Sequence, residues 1–319
     1  MKPDSLHVAV LMGGTSAEAA VSRSTASGVA QALAAAGHSA SLIELDQNTA
    51  RALLEINPDV VFPALHGPPG EDGTAQGFVE LLGFPYVGSG VRGSAIAMDK
   101  HLAKHIFRDA GLPVADDVLI EPGSETAAAA RRVAERLGPC VVVKPVRQGS
   151  AIGVTRFPNG GDTREAIASA LAFGHAALVE RFVAGREITV GVLDLHGETA
   201  RSLPVIEIRT ATDEWYDFTN RYAVGRSEHV INPSLPESTL AELGRVALAA
   251  HRALGLRDLS RADFLLTDQH EIVLLEVNSL PGMTPTSLFP DAANAVGIDF
   301  PALTDALVRS ALRRGLAPG

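Results

Sequence analysis

The sequence predicts an α/β protein that begins with a doubly wound parallel sheet and continues into two smaller α+β units. In the first third, short apolar runs alternate with helical patterns, which favours parallel strands covered by helices on both faces. From about Ser94 the rhythm changes to groups of strands and shorter helices. The 319 residues are enough for two or three packed units.

Four elements form the first unit in this prediction. They are a strand over 6–12, a helix over 24–36, a strand over 60–65 and a helix over 74–82. Functional loops of such sheets lie at the carboxyl ends of the strands. The glycine-containing loops 13–16 and 66–73 both fall there.

The remaining elements alternate less regularly. We expect helices at 94–110, 126–137 and 163–173, and strands at 140–145, 152–157, 176–181, 187–195 and 203–209. The polar segment 210–232 lacks periodicity and is long for a loop inside a compact domain. Loops of this kind are usually functional lids.

Composition excludes several classes of protein. A net charge of −10 argues against wrapping nucleic acid or binding an anionic membrane, because both need clustered positive charge. No stretch approaches the roughly 20 apolar residues of a membrane-spanning helix, and the start of the chain lacks the pattern of a signal peptide. Cys140 is the only cysteine, which indicates a reducing compartment, and we expect a cytoplasmic location.

The most informative segment is 259–283, where two apolar runs flank a hairpin turn at 267–270. The turn predicts that Leu266 pairs with Glu271 and Arg261 with Glu276. Because side chains alternate between the faces of a strand, the two runs divide into two sets. The apolar set is Ala262, Phe264, Leu266, Val273, Leu275 and Val277, and the polar set is Arg261, Asp263, Glu276 and Asn278.

The polar set has two possible interpretations. Two carboxylates and an amide oxygen suit Mg²⁺, which prefers hard oxygen ligands. The alternative is a solvated face with an Arg261–Glu276 ion pair. The turn at 278–284 favours the metal, since it could turn a backbone N–H toward a substrate oxygen.

Two lysines and two glutamates are further candidates. Lys144 ends an apolar strand and precedes a loop with Gly149, which would let backbone N–H groups approach a phosphate. The alternative is a surface lysine without a ligand. The same two interpretations apply to Lys100. Glu180 and Glu187 could accept hydrogen bonds from adenine and ribose, or could be surface charges. A Rossmann oxidoreductase is excluded because G-x-G-x-x-G does not follow the first strand.

Considered together and in order, these residues resemble the D-alanine–D-alanine ligase family of the ATP-grasp fold over nearly the whole chain. The resemblance implies three domains, with a substrate domain at 1–92, a central ATP-grasp domain at 93–185 and a catalytic ATP-grasp domain at 186–319, the last two clasping ATP. The matching stretches are 13–18 with 21–22, 64–67, 70–74, 88–90, 98–100, 143–145, 149–150, 261–263 and 276–284.

The resemblance also implies roles for individual residues. The ATP phosphates would be held by Lys100 and Lys144, and the adenosine by Glu180, Arg181, Val183 and Glu187. Two Mg²⁺ ions, or Mn²⁺ in their place, would be bound by Asp263, Glu276 and Asn278. Glu18 would bind the ammonium of the first D-alanine, with His66 beside it, and Ser287 would bind the carboxylate of the second D-alanine. Arg261 and Gly282 would face the oxyanion. Tyr222 would close the lid onto Ser150 and Glu18.

The resemblance implies ATP-dependent joining of two D-alanine molecules through D-alanyl phosphate, as the step that supplies a peptidoglycan precursor, in a homodimer. Three departures from the family pattern are Arg221 before Tyr222, Arg181 where lysine is common, and Val146 in place of serine. We expect these to alter ATP affinity. Tyr222 favours D-alanine over D-lactate as acceptor. The alternatives are a related ligase that makes another dipeptide or a D-alanyl ester, and a nucleotide-binding regulatory protein without ligase activity.

Overall fold

Three sheets carry the fold in the computed structural model, which describes residues 5–16, 18–210 and 227–316. In these residues the first sheet has the order β2-β1-β3, the second β4-β7-β5-β6, and the third β11-β10-β8-β12-β13 with β9 paired to β8. The strands are β1 His7–Met12, β2 Ser39–Glu44, β3 Val60–Pro63, β4 Asp117–Ile120, β5 Val141–Pro145, β6 Thr155–Phe157, β7 Ala177–Arg181, β8 Arg186–Asp194, β9 Arg201–Ser202, β10 Ile206–Thr210, β11 Ser227–Ile231, β12 Asp258–Leu266 and β13 Ile272–Asn278.

Ten helices cover these sheets in the described part of the chain. None of them has both the length and the apolar character needed to span a membrane. Their bounds are α1 Ala19–Ala35, α2 Thr49–Ile56, α3 Thr74–Leu81, α4 Val91–Met98, α5 Lys100–Asp109, α6 Thr126–Leu137, α7 Arg164–Leu171, α8 Glu237–Ala253, α9 Leu288–Asn294 and α10 Phe300–Arg314.

The first sheet is parallel and has helices on both faces, as the sequence predicts. Side chains of β1 alternate: Val8 and Val10 belong to a core with α1 and α10, while Ala9 and Leu11 belong to a core with α2 and α3. The sequence analysis missed β2 and α2. The physical reason for β2 is its place at the sheet edge, where most of its side chains are at least partly exposed and no apolar alternation marks it.

The second sheet is antiparallel and packs against α6 and α7. The single helix expected at 94–110 is wrong, because the chain breaks into α4 and α5. Asp99 adopts an extended conformation between them, and its carboxylate accepts a hydrogen bond from the N–H of Leu102 at 3.0 Å. This is the geometry of an N-cap, which satisfies backbone donors at a helix start.

The third sheet contains the predicted hairpin, β12 and β13, but in a different register. Arg261 pairs with Asn278 and Asp263 with Glu276, and a bulge follows Asp263. Leu274 and Val277 are buried because the bulge lets residues three apart share the core face, whereas Val273 and Leu275 are only partly buried. The expected pairing was wrong for two reasons. The turn is one residue longer than expected, so that Leu266 pairs with Ile272, and the bulge places one further residue on β13.

The predicted lid at 210–232 is only partly described. Its last residues form β11, which pairs with β10, so 227–231 belong to the third sheet rather than to a loop. Residues 211–226, including Arg221 and Tyr222, lie outside the described residues. The helix α8, which the sequence analysis did not identify, packs against β8, β12 and β13.

A buried carboxylate joins the first and third sheets. Asp258 at the start of β12 is fully buried and accepts hydrogen bonds from the Gly88 N–H at 2.8 Å, the Ser310 hydroxyl at 2.8 Å and Arg314 at 2.6 Å. A core cluster likewise combines side chains from β1, α1, α9 and α10. The domain limits at 1–92, 93–185 and 186–319 stay a prediction.

This contact yields a prediction for stability. Arg314→Met leaves Asp258 as a buried charge with only neutral donors, and we expect the free energy of unfolding to fall by about 3 kcal/mol. Arg313→Met, at the exposed neighbouring position, is the matched control and should change it by less than about 0.5 kcal/mol. Denaturant unfolding of both variants measures the difference, and equal effects would contradict the role given to the Arg314–Asp258 pair.

Candidate active site

A cavity of about 500 Å³ brings together many of the predicted site residues. It lies between the loops of the first sheet, the loop after β5 and the polar face of the β12–β13 hairpin. The predicted residues that line it are Glu18, His66, Lys100, Ser150, Arg261, Glu276, Asn278, Gly282 and Ser287. Those that do not line it are Asp263, Lys144, Glu180, Arg181, Val183 and Glu187.

Glu18 is buried at one side of the cavity, between two glycines. A Cβ on Gly67 would lie 3.1 Å from Glu18 Oε2, and a Cβ on Gly149 would lie 3.6 Å from it. Ser150 donates a hydrogen bond to Glu18 Oε1 at 2.5 Å. Both Ser150 and Ala151 have positive φ angles of 51° and 58°. Such backbone strain in non-glycine residues concentrates at functional sites.

His66 also lines the cavity, near Gly282 and Ser287. Its Nε2 is 3.0 Å from the Thr25 hydroxyl, and its Nδ1 is 3.7 Å from Glu71 Oε1. A Cβ on Gly282 would lie 3.1 Å from Ser287 Oγ and 4.0 Å from the His66 ring. The close spacing of these three residues therefore depends on glycine at 282.

The polar face of the hairpin carries its carboxylates on adjacent strands. Arg261 donates two hydrogen bonds to Asp263, both at 2.8 Å, and Thr189 donates a third at 2.6 Å. Lys100 Nζ lies 3.1 Å from Glu276 Oε2 and donates to the Gln148 carbonyl at 2.5 Å. Both carboxylates thus have a cation beside them.

The chemistry of this donor set fits a hard cation. Asp263 and Glu276 face each other across the two strands, and Asn278 follows on the same side. Two carboxylates with an amide oxygen are suited to Mg²⁺, which leaves coordination positions for water and phosphate. In the described part of the chain, three or more His, Cys, Asp or Glu side chains nowhere gather into a group that could hold a metal by themselves.

A second charged group lies beneath the second sheet, around Glu180 of β7. One carboxylate oxygen is 2.5 Å from Lys144 Nζ of β5, and the other is 2.5 Å from Lys104 Nζ of α5. Burial alone would raise the pKa of Glu180, but Lys144 and Lys104 lower it to about 2. Burial lowers the pKa of Lys104 to about 8, against the opposing effect of Glu180.

The other residues expected near adenosine lie along the end of β7 and the start of β8. The Arg181 side chain extends to Asp116, with a nitrogen–oxygen distance of 3.2 Å, and is half exposed. Val183 falls in the connection between the strands, and Glu187 is the second residue of β8.

Comparison with known proteins gives the same family in sequence and in structure. The family model described as D-ala D-ala ligase C-terminus matches residues 106–309, and that described as D-ala D-ala ligase N-terminus matches 49–89. The D-alanine–D-alanine ligase of Desulforudis audaxviator is 44% identical over 97% of this chain and 99% of its own. That of Acidiphilium cryptum is 46% identical over 97% and 99%.

Comparison with solved structures gives the same family. The D-alanine–D-alanine ligase of Bacillus anthracis complexed with ATP has a TM-score of 0.82 at 30% identity, covering 97% of this chain and 98% of its own. The ligase of Coxiella burnetii has a TM-score of 0.83 at 27% identity, covering 98% and 95%.

The parallel sheet, the two antiparallel sheets and the charged cavity between them define an ATP-grasp enzyme. Its class is that of the ATP-dependent ligases. Within that class, the chain belongs to the D-alanine–D-alanine ligase family.

Several residues around the site escaped the sequence analysis. They include Lys104 beside Glu180, Thr189 beside Asp263, and Thr25 and Glu71 beside His66. For Lys104 the sequence does contain an indication, since only four of the 27 basic residues are lysines. Thr25 and Thr189 act through contacts between distant segments, which no local pattern indicates. Glu71 lies only five residues after His66, inside the matching stretch 70–74, but its contact with His66 was not predicted.

The lowered pKa of Glu180 predicts a pH dependence of stability. The ionised carboxylate stabilises the fold above its ordinary pKa of 4.5, and this contribution is lost as the pH falls from about 4.5 to about 2. Glu180→Gln should therefore be less stable than the wild type at pH 6, and the gap should narrow below about pH 4.5. Thermal unfolding of both proteins from pH 6 to pH 3 measures this difference in stability. The control is Glu165→Gln, at an exposed position of α7, and a gap independent of pH would contradict the assignment.

Proposed function

We propose that the protein uses ATP to join two D-alanine molecules into D-alanyl-D-alanine through D-alanyl phosphate, releasing ADP and phosphate, for peptidoglycan precursor synthesis. The observation that carries the proposal is the single cavity in which Glu18 and Ser150 face Arg261, Glu276 and Asn278. Family membership over nearly the whole chain supports it.

The amino acid end of the cavity has groups for two zwitterions. Glu18 offers a buried carboxylate for the ammonium of the first D-alanine, and its contact with Ser150 fixes its orientation. The Ser287 hydroxyl, which shares a hydrogen bond with Thr284 at 2.7 Å, is placed to bind the carboxylate of the second. His66 lies between these two ends.

When the amine of the second D-alanine attacks the acyl phosphate, an oxyanion forms, and it needs hydrogen-bond donors or positive charge beside it. Arg261 and the Gly282 N–H are proposed to supply them, and one such donor contributes about 3 to 4 kcal/mol in acyl transfer. In this structure Arg261 binds Asp263, which holds the guanidinium on the polar face. Thr189 holds Asp263 in turn.

The phosphoryl transfer step brings two anions together, so the site must supply positive charge. Lys100 and Lys144 are proposed to bind phosphate oxygens. Asp263, Glu276 and Asn278 are proposed to hold two Mg²⁺ ions, for which Mn²⁺ could substitute, and the bound metal would neutralise charge on the transferred phosphoryl group. Glu180, the backbone of 181–183 and Glu187 are proposed to hold adenosine.

Tyr222 and Arg221 lie outside the described residues, and their role in closing the site remains part of the proposal. Tyr222 is proposed to meet Ser150 and Glu18 and to favour D-alanine over D-lactate as acceptor. A homodimer and a cytoplasmic location are proposed as well. The second candidate function is a D-alanyl ester or mixed dipeptide ligase, since Glu18, Arg261 and Glu276 would serve that reaction equally.

The test of the proposed function is phosphate release with ATP and Mg²⁺ against a panel of D- and L-amino acids and D-hydroxy acids, with products identified by mass spectrometry. We expect release with D-alanine alone, D-alanyl-D-alanine as the product, and a minor ester product when D-lactate competes. Predominant D-alanyl-D-lactate would support the second candidate. No release with any acceptor would contradict both and favour a regulatory nucleotide-binding protein.

The metal assignment predicts the effect of Glu276→Gln. The substitution removes a negative charge between the proposed ions while leaving the shape of the side chain, so we expect the turnover number to fall at least about 100-fold. The unfolding midpoint should change by less than about 2 °C, because the core face of the hairpin is untouched. Glu271→Gln, at the exposed end of the same hairpin, is the control. Turnover within a fewfold of wild type would remove the two-metal assignment.

A further inference from the structure

Lys104 connects two parts of the protein that otherwise have separate cores. It lies on α5, whose Ala103 and Phe107 pack in the core of the third sheet. Its own side chain is only 1% exposed and extends to the second sheet, where Nζ lies 2.5 Å from Glu180 Oε1. A lysine this deeply buried is uncommon unless it is paired.

Glu180, the carboxylate that Lys104 contacts, is shared with a second lysine. Glu180 uses its second oxygen to bind Lys144 at 2.5 Å, so two ammonium groups have one carboxylate between them. Asp117 lies 3.8 Å from Lys104 Nζ but has Arg108 as a closer partner. The cluster of Lys104, Lys144, Arg108, Glu180 and Asp117 therefore contains three cations and two anions, and one positive charge is in excess.

From this arrangement we propose that Lys104 is a positioning residue for the ATP phosphates. Lys104 binds one carboxylate oxygen of Glu180 and neutralises part of its negative charge, so that the positive charge of Lys144 stays available to an anion. The proposal rests on the proposed function, in which Lys144 binds phosphate. Without Lys104, Glu180 and Lys144 form a neutral pair, and a phosphate would compete with Glu180 for the ammonium of Lys144. Buried charges at these distances interact strongly, because little water screens them.

Use of lysine elsewhere in the chain agrees with this role. Only four of the 27 basic residues are lysines, and three of them, Lys100, Lys104 and Lys144, lie around the cavity and Glu180. The compact ammonium group can share one carboxylate oxygen, whereas the guanidinium fork of arginine tends to occupy both. Arginine at 104 would compete with Lys144 for Glu180.

The test compares Lys104→Met with Arg108→Met, which removes a cation from the next turn of the same helix without touching Glu180. Binding of ATP and of adenosine is measured by calorimetry without amino acids, so it does not depend on which dipeptide is made. We expect Lys104→Met to weaken ATP binding about tenfold and adenosine binding less than about twofold. Arg108→Met should change both by less than about threefold.

Equal losses for ATP and adenosine, or equal losses in the two variants, would overturn the proposal, since a purely structural role predicts both. In a Glu180→Gln background, Lys104→Met should cost less than about threefold for ATP, because the carboxylate that couples the lysines is gone. An undiminished tenfold loss there would also overturn it. If Lys104→Met does not fold, Lys104→Gln serves, with thermal unfolding as the check.

Steady-state kinetics separates this inference from the proposed function. We expect the KM for ATP to rise about tenfold in Lys104→Met while kcat and the KM for D-alanine stay within about twofold. A wild-type enzyme that binds ATP and releases no phosphate would contradict the proposed function and leave the calorimetric result standing. A wild-type enzyme that ligates D-alanine, with ATP affinity unchanged in Lys104→Met, would contradict the inference alone.

Discussion

Contacts of buried and partly buried charged groups across the three sheets are the constraint on which the site depends. Glu18 from the first unit meets Ser150 of the second, Glu276 of the third sheet meets Lys100, and Glu180 of the second sheet meets Lys104 of α5. A buried charge without a partner is costly, so each contact requires the sheets to be in one arrangement. The cavity is the space that this arrangement leaves.

Sequence reasoning predicted the parts of the fold that have a local cause. The parallel sheet followed from apolar runs alternating with helical patterns, and α6 was predicted at its observed limits because its helix signals are strong at both ends. The polar face of the hairpin was also predicted, since Arg261, Asp263, Glu276 and Asn278 do share it. Family resemblance supplied the ATP-grasp fold, and the structural comparisons confirmed it.

Features that depend on distant contacts could not be predicted. A turn one residue longer than expected and the bulge after Asp263 both shift the hairpin register. Val273 and Leu275 therefore leave the buried face, although their apolar character indicates a core position. The break at Asp99 is visible only once its carboxylate is seen to cap α5. The roles of the site residues stay predictions.

The first and third sheets are coupled to each other more strongly than to the second sheet, and this sets the order in which they unfold. The first and third sheets share one apolar core and the buried Asp258, whereas the buried side chains packed around the second sheet all fall between Val118 and Val179. Such a self-contained core behaves as a separate cooperative unit in hydrogen exchange. Heat or denaturant would therefore open the second sheet before the first and third, so a ligand bound to the second sheet would protect the chain against proteolysis better than one bound to the other two.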